Sequence, residues 1–305
     1  MSGGCHNQRA NSPTSSEGTE FKVLLLRVLV WGWLGRFGVI GMKQGLMKRR
    51  GFWPAICSAL LSASLTVGVA TVAQAQSVNS APRELTSLLE SLETAANQQD
   101  LETIENFFSA DFATSDDVGR EAFFRGLNQL WERFAEVNYT TRLESWGQEG
   151  DLWVAETVTE IRGTQPLASR SVKMTSTVRS RQYVRNQQIV RQDILSERTE
   201  MLVGENPPQV DVRLPERVKP GERFNFDVIV QEPLGGELLL GGAMNEKVTG
   251  DRYLNPGDFD LELLQAGGLF KVGRAPQQTE PHWLSAILVR HDGMTIITQR
   301  LRVEN

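Results

Sequence analysis

Two cysteines, three histidines and three tyrosines are all that 305 residues contain. Cys5 and Cys57 both lie in the N-terminal quarter. Without that quarter no disulfide, thiol nucleophile or thiolate metal site can be built. His6, His282 and His291 leave residues 80–203 without an imidazole, so acid–base chemistry there would fall to carboxylates or tyrosine. A basic surplus is missing too. Residues 1–75 hold eight Lys/Arg and two Asp/Glu, which leaves 24 bases against 35 acids in the remainder. So acidic a surface repels phosphate backbones, and no nucleic-acid partner is expected. No Gly-Lys-Ser/Thr follows the Gly235-Gly236 or Gly241-Gly242 pairs, so no phosphate loop is present. Asp258-x-Asp260-x-Glu262 reads as the exposed face of a strand, and His291 as a turn residue. Neither cofactor nor metal is expected.

The N-terminal quarter reads as an address. Residues 42–75 combine a basic start, an apolar run over 52–72 and Ala73-Gln74-Ala75. Those are the parts of a secretory signal peptide, with cleavage after Ala75. The expected location is therefore the periplasm or an equivalent lumen, and the alternative is an uncleaved N-terminal membrane anchor. Residues 1–41, in which an apolar stretch over 21–41 is broken by Arg27 and Arg36, are expected to be an upstream extension.

Three helices come next. Pro82 suits a first turn, and Leu85, Leu88, Leu89, Leu92 and Ala96 recur at helical spacing. Asp100 caps a second helix carrying Leu101, Ile104, Phe107 and Phe108. Thr114 or Ser115 is expected to cap a third, with Asp116 and Asp117 in its first turn and Phe123, Leu127, Leu130, Trp131 and Phe134 on its buried side. The period then changes to that of strands, over 137–148, 151–162, 171–185 and 188–203, punctuated by hairpin turns such as Asn186-Gln187. In the third of these Val172, Met174, Val178 and Val184 share a face with Ser176, Ser180 and Gln182. Lys173, Arg179, Arg181, Tyr183 and Arg185 take the other.

The run Asp100-Leu101-Glu102-Thr103-Ile104-Glu105-Asn106-Phe107-Phe108-Ser109-Ala110-Asp111-Phe112, the helix around Trp131, and the Asn186-Gln187-Gln188-Ile189-Val190-Arg191 strand carry a resemblance. Residues 82 to about 200 look like the nuclear transport factor 2 superfamily, SnoaL-like group. The resemblance implies an α+β cone, three helices packed on a curved antiparallel sheet, with a pocket between them. Members include isomerases, cyclases, dehydratases and plain binding modules. No carboxylate base can be mapped together with an oxyanion donor, so no catalytic residue is assigned. Trp131, Trp146, Trp153, Ser176, Ser180 and Gln182 are the candidate pocket lining.

After Gly204-Glu205-Asn206-Pro207-Pro208-Gln209 the strands become short and the turns rich in Gly and Pro. Strands are predicted over 210–214, 223–231, 237–241, 259–264, 269–272, 283–290 and 294–303. Such spacing predicts an all-β immunoglobulin-like sandwich over 210–305, without its disulfide. Pro215-Glu216-Arg217-Val218-Lys219-Pro220-Gly221-Glu222-Arg223-Phe224, with Glu232-Pro233-Leu234-Gly235, looks like the C-terminal part of uncharacterised exported cyanobacterial proteins that join it to a SnoaL-like domain. The expected organisation is thus a cone domain over 80–203, a stiff proline linker over 204–209 and the sandwich. The function expected is that of an exported, non-catalytic binding or scaffold protein for an unknown small apolar ligand or envelope protein. Homodimerisation is a further expectation. The alternative is a periplasmic SnoaL-like isomerase or hydro-lyase acting on a small apolar molecule.

Overall fold

The structure is a computed structural model that describes residues 78–167, 170–233, 235–265 and 267–305. The expected extension, signal peptide and both cysteines lie outside the described residues. Among those described, no helix is long and apolar enough to cross a membrane.

A 3₁₀ turn over Val78–Ser80 leads into α1 (Arg83–Asn97) and α2 (Leu101–Asn106). Leu85, Leu88, Leu89 and Ala96 of α1 are buried, as the stripe predicts. Asp100 caps α2 as expected, its carboxylate accepting from Thr103 N at 3.0 Å and from the Thr103 hydroxyl at 2.6 Å. The short β1 (Phe108–Thr114) follows, and then α3 (Arg120–Arg133). The expected start of α3 is displaced. Gly119 is its N-cap, while Thr114 Oγ1 accepts from Asp116 N and Val118 N and so closes a turn instead. Asp116 and Asp117 lie in that turn, and Asp116 is drawn to a partner 184 residues away.

Four long strands form the next layer: β2 (Glu136–Glu149), β3 (Leu152–Leu167), β4 (Arg170–Arg185) and β5 (Gln188–Gly204). They pair antiparallel in sequence order. Asn186 and Gln187 both take positive φ, the geometry that a two-residue hairpin turn needs. On the outer face the arginines are neutralised: Glu156 binds Arg179 and Arg181, and Asp151 binds Arg185. The inner face receives α1 and α3. Strand β2 is an edge, and α1 satisfies it. The Asn97 amide exchanges two hydrogen bonds with the backbone of Tyr139, and Glu93 accepts from Thr141 N.

The C-terminal part contributes β6 (Val210–Arg213), β7 (Arg217–Val218), β8 (Arg223–Val230), β9 (Leu240–Lys247), α4 (Gly250–Leu254), β10 (Glu262–Leu263), β11 (Gly268–Arg274), β12 (Pro281–Val289) and β13 (Gly293–Val303). Strands β11, β8 and β6 make a three-stranded sheet. Phe224, Phe226 and Val228 pack across a core against Leu284, Ala286, Leu288 and Leu301 of β12 and β13. The two layers expected of a sandwich are therefore present, but the second does not end there. Strand β13 pairs with β5 from Gly293–Gly204 to Gln299–Arg198. One ten-stranded sheet, with the path β10-β9-β12-β13-β5-β4-β3-β2, runs through both halves. All described residues fall in one compact unit, Val69–Asn305.

The proline segment is held in place rather than only stiff. Arg290, itself buried, donates to Asn206 O at 2.9 Å, and the Thr295 hydroxyl donates to Pro208 O at 2.6 Å. Backbone N–H groups of Glu205 and Asn206 both reach Asp292 O. The largest departure from the sequence expectation lies at 237–257. Strand β9 starts later and runs longer than predicted, and Thr249 caps α4, accepting from Arg252 N at 3.2 Å.

Candidate functional site

The inner face of the sheet is the floor of a cavity of about 430 Å³. Strand pairing arranges its residues in rungs. Tyr139, Ile161, Ser176 and Thr199 form one, and Thr141, Thr159, Val178 and Glu197 the next. Ser180 and Gln182 continue along β4. Hydroxyls on this floor pair with one another: Thr141 with Thr159 at 3.1 Å, and Ser176 with Thr199 at 2.7 Å. Ser180 pairs with Thr157 at 3.2 Å. Pairing offsets the cost of burying them. Leu89, Leu92 and Ala96 of α1 and Phe123, Leu127 and Leu130 of α3 form the roof. These last three are only half-buried because the cavity lies against them, and so they leave the closed core to Phe124, Trp131 and Phe134.

The remaining wall comes from the C-terminal part. Side chains on β12 alternate, so Leu284, Ala286 and Leu288 enter the apolar core and Trp283 turns to the cavity. Trp283 and Arg300 are cross-strand partners. Arg300 lies one residue beyond the last β13–β5 pair, which brings it beside Glu197. It is 3 % exposed and reaches both oxygens of Asp116, at 3.2 and 2.9 Å. It also lies 3.5 Å from Glu197 Oε2, which accepts from Trp283 Nε1 at 3.0 Å. Tyr253 of α4 stacks on Trp283 with ring centroids 6.5 Å apart. Its ring occupies the space where a Cβ of Gly126 would stand, so glycine in α3 admits it.

Two tyrosine hydroxyls line the cavity. Burial pushes that of Tyr139 up to about 12, partly offset by the hydrogen bond from Trp131 Nε1 at 3.0 Å. Tyr253 keeps 37 % of its surface, and desolvation raises its pKa above the usual tyrosine value. The charge of Glu197 adds to that rise. Both groups stay neutral donors at ordinary pH. Among the described residues, no group of His, Cys, Asp or Glu is arranged to hold a metal.

Of the residues singled out from sequence, Ser176, Ser180 and Gln182 line the cavity. The three tryptophans do not. Trp131 is buried behind Tyr139, Trp146 is buried and donates to the Ser80 hydroxyl at 3.3 Å, and Trp153 is half-buried on β3 between Gln148 and Val184. Asp116, Glu197, Tyr253, Trp283 and Arg300 went unrecognised. One signal did exist, namely an arginine within the apolar strand 294–303, which demands a buried acid.

Comparison with known proteins finds a family model similar to one part of the chain. A family described as "Domain of unknown function (DUF8623)" matches residues 205–304. No curated protein matches the chain. Solved structures overlap about a third of it. Bd1075 of Bdellovibrio bacteriovorus is 15% identical with a TM-score of 0.26, over 36% of this chain and 38% of that one. An LEH-like epoxide hydrolase of M. tuberculosis is 15% identical with a TM-score of 0.26, over 36% of this chain and 80% of that one. A hypothetical protein of Catenulispora acidiphila with a ketosteroid isomerase-like fold, in complex with trimethylamine, is 15% identical with a TM-score of 0.23, over 35% of this chain and 82% of that one. This chain thus spans well under half of the Bdellovibrio protein. Likenesses this distant carry no argument about ligand or activity.

Proposed function

We propose that the protein binds a small, mostly apolar molecule in the cavity and performs no chemistry on it. One observation carries this reading: the cavity is roofed by leucines and phenylalanine, its floor hydroxyls are paired, and both oxygens of Asp116 are taken by Arg300. Such a site has the size and character of a ligand pocket. The test is a titration of the purified protein with naphthalenemethanol, followed by probe fluorescence. Saturable binding is expected, together with a loss of about tenfold or more in affinity, some 1.4 kcal/mol, in Val178→Phe, whose ring would occupy the cavity. No saturable binding, or equal binding by the filled variant, would refute the reading.

A general acid–base enzyme is the second reading. It is favoured because Glu197 and the protonated Tyr139 hydroxyl share one cavity. Their backbones are three strand spacings apart, roughly 14 Å. That suits holding the two ends of a molecule better than flanking one reacting carbon. Solvent deuterium entering a bound ketone at its α-carbon, and failing to do so with Glu197→Gln, would support the enzyme instead.

A further inference from the structure

At the Arg300 end the wall of the cavity holds more carboxylate than cation, because the other lining guanidinium, Arg133, is exposed at the end of α3. Asp116 and Arg300 are 6 % and 3 % exposed at their side chains, and Glu197 is 23 % exposed. Two carboxylates therefore share one guanidinium. Arg300 spends its fork on Asp116 and gives Glu197 one contact at 3.5 Å, to Oε2. Trp283 takes the same oxygen. Among the described residues no hydrogen bond reaches Glu197 Oε1, so Glu197 meets the cavity with one oxygen committed and the other open. Charges held away from water are normally matched by a partner of opposite sign. A second observation points to an occupant. Gln182, further along the floor, is 6 % exposed, and its Oε1 has no hydrogen-bond partner. An acceptor left so is costly unless a donor arrives.

We propose that the ligand is a protonated organic amine on an apolar body, its ammonium group held by Glu197 beside the stacked rings of Tyr253 and Trp283. This rests on the binding reading above. Glu197 supplies the missing counter-charge, and the two aromatic rings suit a cation. The leucine and phenylalanine roof takes the body, with Gln182 available to a second donor. An anionic ligand is disfavoured, because Glu93, Asp116 and Glu197 line the cavity against an exposed Arg133 and an Arg300 whose two terminal nitrogens bind Asp116.

The test uses one apolar body with different head groups: naphthalenemethylamine, naphthalenemethanol and naphthoate, at neutral pH. The amine is expected to bind about tenfold or more tighter than the alcohol, and naphthoate most weakly. Glu197→Gln keeps the size of the side chain and an acceptor for Trp283 but removes the charge. It is expected to erase the preference, so that amine and alcohol bind the variant within about twofold of each other. Should the amine and alcohol bind alike in the unaltered protein, or naphthoate bind as well as either, the head-group assignment fails and the binding reading stands. Should none of the three bind, both fall. An unchanged melting temperature in Glu197→Gln, or the wild-type series alone if the variant does not fold, keeps the outcome decisive.

Discussion

Arg300 is 3 % exposed and has two carboxylates within reach. Removing one partner from a buried pair leaves an uncompensated charge, which costs about 3–5 kcal/mol. Arg300→Met is therefore expected to lower stability by about that amount in urea unfolding. Adding Asp116→Asn should recover much of the loss, because a neutral amide costs less to bury. A single variant within about 1 kcal/mol of the unaltered protein would mean that the pair is not closed off from solvent. The tyrosines offer a second check at this scale. All three, Tyr139, Tyr183 and Tyr253, are raised above the ordinary value of 10.0, chiefly by burial. Below pH 10 they are neutral in both the folded and unfolded chain, and their contribution to stability is complete. As pH rises from about 10 towards about 12, Tyr139 ionises only in the unfolded chain, so stability falls across that window. Tyrosinate absorbance of the folded protein near pH 10 should fall short of that of three free tyrosines. A step there worth all three tyrosines would contradict the burial of the Tyr139 hydroxyl.

Among elements, β13 does most to define the molecule. It pairs with β12 on one side and β5 on the other, and all but two of its residues are buried. A chain ending at Val203 would keep α1 to α3 and β1 to β5, but it would open the β5 edge and leave Asp116 without Arg300. Open edges recruit other strands. That shortened chain is expected to elute as oligomers or aggregate in size-exclusion chromatography, and a monodisperse monomer with a cooperative melt would contradict the shared sheet. The sequence made local elements legible where the signal was local. The α1 stripe, the Asp100 cap, the alternation of β4 and the Asn186-Gln187 turn all follow from neighbours a few residues apart. The β5–β13 pairing does not, because it joins residues about a hundred positions apart and each strand looks complete alone. Asp116 misled for the same reason. Its place after Thr114 suggests a helix start, whereas its partner is Arg300. The tryptophans misled because a large amphipathic ring suits a closed core as well as a pocket wall.

At the scale of the whole molecule, the cavity exists only where the two halves meet on one sheet. The N-terminal half supplies the floor and the helical roof. The C-terminal half supplies Trp283, Arg300 and the α4 segment that carries Tyr253. A ligand bound there should therefore be sensed by a C-terminal residue. The most direct measurement follows the indole N–H signals of the tryptophans by NMR while naphthalenemethylamine is added to the protein. Trp283, which donates to Glu197, should shift in proportion to saturation. Trp146 and Trp153, away from the cavity, should hold still. A still Trp283, or equal shifts at all three, would contradict a binding site shared by the two halves.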